Sequence, residues 1–89
     1  MLIADYSNRF KKDYKLAIKR SWDIALLDTV LRDLINETPL HKKHKDHILI
    51  GNFAGCRECH IQPDWLLIYQ IGNGIIVFER TGTHSDLFG

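Results

Sequence analysis

Four histidines hold the chemical interest of this chain: His44, His47, His60 and His84. Two carboxylates, Glu58 and Asp64, stand among them in the sequence. Imidazole exchanges protons near neutral pH without special tuning, so these residue types suit general acid–base work. Glu58 and His60 are two positions apart, and on a strand they share one face. Arg57 and Arg80 add permanent positive charge that can stabilise an anionic transition state. A lone histidine is more often a surface or core residue. Several of them near carboxylates and arginines, at strand ends and in a tail, make acid–base work a realistic reading, with the substrate not yet indicated.

The segment Cys56-Arg57-Glu58-Cys59-His60 has the spacing of covalent haem attachment. The strand reading excludes that use, because Cys56 and Cys59 then point to opposite faces. Zinc needs further ligands at a suitable spacing. His41, His44 and His47 lie in a basic loop, and no second cysteine pair exists. The thiols are read as structural or incidental. No metal and no cofactor are expected.

These side chains need elements to place them. Leu2–Tyr6 reads as a first strand. Ser7 can cap a helix in which Phe10, Tyr14, Ala17 and Ile18 form a core stripe and Lys11, Lys15 and Lys19 another face. Ser21 opens a second helix with apolar Trp22, Leu26, Leu27, Val30, Leu31, Leu34 and Ile35, ended by Pro39. Residues 39–46 form a polar loop. The period then becomes strand-like: Ile48–Ile50, Arg57–Ile61, Leu66–Ile71 and Ile75–Arg80, the last two joined by Gly72-Asn73-Gly74. Thr81–Gly89 reads as a polar tail. The order predicts an α+β fold: an N-terminal strand, two helices, then a three- to four-stranded antiparallel sheet. The helices cover one face of that sheet, and the second face is free to carry a site.

At 89 residues the chain is one domain, spanning 1–89. Its 45% hydrophobic content suffices for one small core. No apolar run reaches the ~18 residues of a membrane helix, and the first residues do not read as a signal peptide. A cytoplasmic protein without membrane partners is expected. The net charge is only +1 but unevenly spread. Residues 9–20 carry +5, and His41–Lys45 carry +3 before any histidine is protonated. Lys11, Lys15, Lys19, Lys42, Lys43 and Lys45 are therefore candidate contacts to nucleic-acid phosphates. The plain alternative is a solvated surface. Trp65 and Phe88 could stack on bases; alternatively Trp65 is core and Phe88 pins the tail.

The stretch Gly55-Cys56-Arg57-Glu58-Cys59-His60-Ile61-Gln62-Pro63-Asp64-Trp65-Leu66-Leu67-Ile68-Tyr69 resembles the signature of the YafQ-like branch of the RelE/ParE toxin superfamily. So does the ending Glu79-Arg80-Thr81-Gly82-Thr83-His84-Ser85-Asp86-Leu87-Phe88, and so does Lys45-Asp46-His47 followed by Gly51. The resemblance covers the whole chain and implies a RelE-like fold. It implies a bacterial type II toxin that cleaves mRNA on the ribosome without a metal and is neutralised by a small antitoxin. The family's functional positions carry over to His47, His60, Asp64 and His84, with Glu58, Arg80 and Phe88 in support. Cys56 and Cys59 depart from the pattern only where the family requires no particular residue.

RNA supplies its own nucleophile, the 2′-OH. An enzyme must take that proton, stabilise the phosphorane and protonate the 5′-oxygen. The expected assignment is His84 as acid, Asp64 with His60 or His47 on the base side, and Arg80 with Arg57 on the phosphate. Products are a 2′,3′-cyclic or 3′ phosphate and a 5′-hydroxyl. Two rivals remain at this level. A non-catalytic ParE-like toxin would not need the four acid–base residues together. A plain RNA- or ribosome-binding module would need only the basic blocks.

Overall fold

The computed structural model describes residues 1–49 and 51–89, with Asn52 described by its backbone only. Its elements are β1 (Ile3–Tyr6), α1 (Asn8–Lys19), α2 (Ile24–Ile35), β2 (His47–Ile48), β3 (Arg57–Gln62), β4 (Trp65–Gly72), β5 (Ile75–Gly82) and α3 (His84–Phe88). Short 3-10 turns at Lys42–His44 and Gly51–Phe53 flank β2. The sheet has five strands in the order β1-β5-β4-β3-β2. β1 runs parallel to β5, and the other pairings are antiparallel. Among the described residues, no helix is long and apolar enough to cross a membrane.

The caps explain where the helices begin. Ser7 accepts from the Phe10 N–H at 3.0 Å, and its own hydroxyl donates to the Glu79 carbonyl at 2.7 Å. One serine thus starts α1 and fastens it to β5. Ser21 does not open α2. It sits in the left-handed region at φ 60°, inside the turn, and Asp23 caps α2 instead by accepting from the Ala25 N–H. The apolar period extends back to Trp22, but the turn geometry ends the helix short of it. The β4–β5 hairpin closes on Asn73 and Gly74, both at positive φ, as a tight two-residue turn requires. The strand expected over Ile48–Ile50 is described only as far as Ile48 in β2, and Ile50 lies outside the described residues.

The main core lies between the helices and one sheet face. Phe10, Ala17, Leu27, Val30, Leu31 and Leu34 pack against Cys59, Ile61, Leu67, Tyr69, Ile76 and Phe78. Each fully buried large apolar side chain contributes about 1.5 to 3 kcal/mol. Ile18 is not part of this stripe; it is 54% exposed. Leu66, Ile68, Cys56 and Leu87 form a second cluster on the other face, against Leu49 and Phe53. The two cysteines therefore do point to opposite faces, as the odd spacing required. Both thiols are free, and burial pushes Cys59 up to about 12.

The second face is thus only partly free. Its centre is covered by Leu87 of α3 and by Phe53. The tail is α3, not loop, because Thr83 and Asp86 form a reciprocal capping box. Arg20 grips Asp86 through two hydrogen bonds, at 2.6 and 3.1 Å. Gly82 makes room for this cap: a Cβ there would lie 2.9 Å from Asp86 Oδ2 and 3.0 Å from Asp86 Cβ.

Candidate active site

Cross-strand register places the histidines. His47 of β2 lies opposite Glu58 of β3, and His60 opposite Leu66 of β4. His47, Glu58 and His60 therefore share the face that the helix pair does not cover. The β3–β4 turn carries Asp64, and α3 brings His84 and Phe88 to the same place. The outcome is a row of rings. The His47 and His60 centroids are 6.4 Å apart, His60 and His84 5.9 Å, and His84 and Phe88 6.5 Å.

Each imidazole is oriented through Nδ1. His47 donates to the Lys45 carbonyl at 2.8 Å, and His60 to the Pro63 carbonyl at 3.3 Å. Carbonyl oxygens only accept, so Nδ1 carries a proton in both rings. Nε2 of each then faces Glu58 Oε1, at 3.8 Å for His47 and 3.3 Å for His60. Glu58 is 5% exposed, and each ring meets it as a donor only when protonated, because a neutral ring with its proton on Nδ1 turns a lone pair toward the carboxylate. His84 Nδ1 donates to Asp64 Oδ1 at 2.6 Å, and the His84 backbone N–H donates to the same oxygen at 2.9 Å. These two bonds hold the Asp64 carboxyl below its usual range. They leave His84 Nε2 directed away from its carboxylate.

This corrects the assignment of Asp64. It belongs with His84, and Glu58 is the carboxylate beside His47 and His60. Strand parity sets Glu58 and His60 on one face; the turn that delivers Asp64 to His84 has no sequence signal. Arg57 is not in the row. It alternates away from Glu58 to the helix-facing side and donates to Asp46 at 3.2 Å. Trp65 offers no surface to a base: it is 3% exposed, packs at a tilt against Trp22 and donates to Thr81 Oγ1 at 3.0 Å. Arg80 lies opposite Ile68, on the row's side of the sheet, but its guanidinium is forked onto Asp13 of α1 at 2.7 and 3.2 Å. Phe88 is half-exposed and meets Phe53 edge-on, with centroids 5.7 Å apart.

Two residues gain a place that sequence reasoning did not give them. His44 donates from Nδ1 to the His60 carbonyl at 2.7 Å, tying the basic loop to β3. Asp46 accepts from the Tyr69 hydroxyl at 2.7 Å as well as from Arg57. Lys43 and Lys45 line a groove of about 430 Å³ with His60, Gln62 and Pro63. Lys42 is exposed in the same turn. Lys11 and Lys15 border a different groove, between α1 and α2, with Tyr6, Tyr14 and Asp28. Lys19 is exposed at the end of α1. The two basic blocks therefore occupy separate surfaces, and only the loop block adjoins the histidines. Among the described residues, no three His, Cys, Asp or Glu side chains converge as a metal-holding group.

A family profile described as "Bacterial toxin of type II toxin-antitoxin system, YafQ" matches residues 2–89. The mRNA interferase toxin YafQ of Escherichia coli K12 is 48% identical over 86 residues, 96% of this chain and 94% of that protein. The crystal structure of the E. coli DinJ–YafQ complex superposes with a TM-score of 0.94 at 46% identity, covering all of both chains. A metal-bound toxin from Helicobacter pylori superposes with a TM-score of 0.92 at 43% identity, covering 99% of this chain and all of that one.

Proposed function

Because this chain belongs to the YafQ family of bacterial type II toxins, we propose that it is an mRNA interferase whose histidine row cleaves RNA through the 2′-OH. The observation that carries the mechanism is the Asp64–His84 pair standing beside the Glu58–His60–His47 group, with His60 and His84 centroids 5.9 Å apart. In-line cleavage needs an acid and a base on opposite sides of one phosphorus. Each must come within ~3 Å of its oxygen. His84 Nε2 protonates the leaving 5′-oxygen while Asp64 holds the ring through Nδ1. The proton of the 2′-OH passes to the Glu58–His60–His47 group. Asp13 occupies the Arg80 fork, and Lys43 and Lys45, which share a groove with His60, take the flanking phosphates.

An mRNA substrate suits a cytoplasmic reaction on translating ribosomes. A cognate antitoxin, the counterpart of DinJ in the E. coli pair, neutralises the enzyme. An acidic segment that folds over the histidine row and the loop lysines suits that task. The test is to incubate purified protein with ribosomes and message and to map new 5′ ends. New 5′-hydroxyl ends paired with 2′,3′-cyclic or 3′ phosphates support the reading; a ParE-like toxin or a binding module yields none. RNA brings its own nucleophile and imidazoles move the protons, so cleavage of free RNA is expected to persist in excess EDTA. Loss of that cleavage, restored only by added metal, would contradict the metal-free mechanism.

The α1 lysines lie away from the row and fit ribosomal RNA rather than the scissile strand. Neutralising Lys11, Lys15 and Lys19 together should weaken ribosome association and lower its salt slope by ~2 to 3, since each phosphate left unneutralised is worth about 0.7 to 0.9. Cleavage of a short free RNA should change little. Binding titrations across salt concentrations decide this, and an unchanged slope returns the face to ordinary solvated surface.

A further inference from the structure

We propose that Asp46 is a positioning residue for His47, clamped from the opposite side of the sheet by Tyr69 and Arg57. The inference deepens the nuclease reading and rests on it for its kinetic consequence. Tyr69 belongs to the main core and is 1% exposed, and its hydroxyl donates to Asp46 Oδ1 at 2.7 Å. Arg57 Nε donates to the same oxygen at 3.2 Å. Burial and the Asp46 carboxylate both push the Tyr69 hydroxyl up, so it stays a donor at any working pH. The carboxylate is thereby fixed on the helix-facing side.

Two consequences follow along the backbone. Asp46 is held beside Tyr69 and Arg57, on the helix-facing side, and the next residue, His47 at the start of β2, lies on the other side opposite Glu58. Lys45, just before the anchor, adopts φ 48° and ψ 46°, a left-handed conformation that costs a non-glycine residue about 1 kcal/mol or more. That turn aims the Lys45 carbonyl at His47 Nδ1, at 2.8 Å. It selects the Nδ1–H form of the ring and turns Nε2 toward Glu58. β2 is only two residues long and lies at the sheet edge, so its own ladder gives His47 little support. The Asp46 anchor supplies what the strand does not.

The experiment compares wild type with Asp46→Ala and Tyr69→Phe. Tautomers of His47, His60 and His84 are read from two-bond ¹H–¹⁵N imidazole spectra at a pH where the rings are neutral. Single-turnover cleavage is measured on the same samples. Both variants should move His47 toward the Nε2–H form and leave His60 and His84 as they are. Cleavage should fall ~10- to 100-fold through the rate constant, with KM little altered, the usual result of a small misplacement. Tyr69→Phe removes a single oxygen and keeps the core ring, so it carries the test if Asp46→Ala fails to fold. An unchanged His47 tautomer in Tyr69→Phe overturns the proposal, whatever the rate does. A changed tautomer with wild-type cleavage overturns it too. If the wild type cleaves no RNA at all, the nuclease reading fails and the tautomer alone decides the clamp.

Discussion

His84→Ala lowers RNA cleavage by about 10²- to 10⁴-fold with the fold intact, the usual worth of a general acid. The side chain is 55% exposed, so its removal opens no cavity in either core cluster. What it removes is the one imidazole of the row that has a carboxylate on Nδ1 and an Nε2 turned away from that carboxylate. Asp64→Asn is the companion variant. It keeps an acceptor for the His84 N–H groups but loses the charge that stabilises an imidazolium, so its rate falls less than that of His84→Ala. Asp64 lies below the ordinary carboxylate range in the folded protein. A depressed carboxyl contributes stability above its unfolded value and loses it only as pH falls through the folded one. The Asp64–His84 contact should therefore survive mild acid, and the ratio of wild-type to Asp64→Asn rates should stay flat there. Single-turnover cleavage and thermal melts on the same proteins check both statements. Wild-type cleavage by His84→Ala would remove this residue from the mechanism.

Phe88→Ala is expected to cost about 10²-fold in cleavage, the scale of a small misplacement at a reacting group, although Phe88 transfers no proton. Its ring stands edge-on to Phe53 and 6.5 Å from the His84 ring. It closes the row at the end of a helix of only five residues, which has little stability of its own. Leu87 secures that helix to the second cluster, so the melting temperature should drop by only a few degrees while the rate falls much further. Equal losses in both, or a wild-type rate, would make Phe88 a residue of stability alone.

Much of this arrangement was legible in residue types and spacing. Ser7 reads as a cap and is one. Two-residue parity puts Glu58 with His60 and parts Cys56 from Cys59. The Asn73-Gly74 pair announces its hairpin. What stays hidden are contacts made across the chain. Arg57 and Arg80 look available for phosphate because a sequence does not show that Asp46 and Asp13 take them. Trp65 looks like a stacking surface because nothing local reports the packing of Trp22 against it. The tail reads as loop because its capping box is short and its stability comes from Arg20, far away in the chain. Asp64 goes to the wrong histidine for the same reason: turns bring it to His84.

The fastening of α1 to the last strand and helix also bears on how the protein reaches competence. Ser7 to Glu79, Asp13 to Arg80 and Thr81, and Arg20 to Asp86 join residues 66 to 72 positions apart. Closing so long a loop is thermodynamically mild, since each doubling of length adds only ~0.6 kcal/mol, but nonlocal contacts of this kind slow folding. The strands β2 to β4 are neighbours in sequence and assemble His47, Glu58 and His60 among themselves. The acid side, His84 on α3, is held by Asp64 and through the tie of Arg20 to Asp86, so the row is whole only where the two ends of the chain have met.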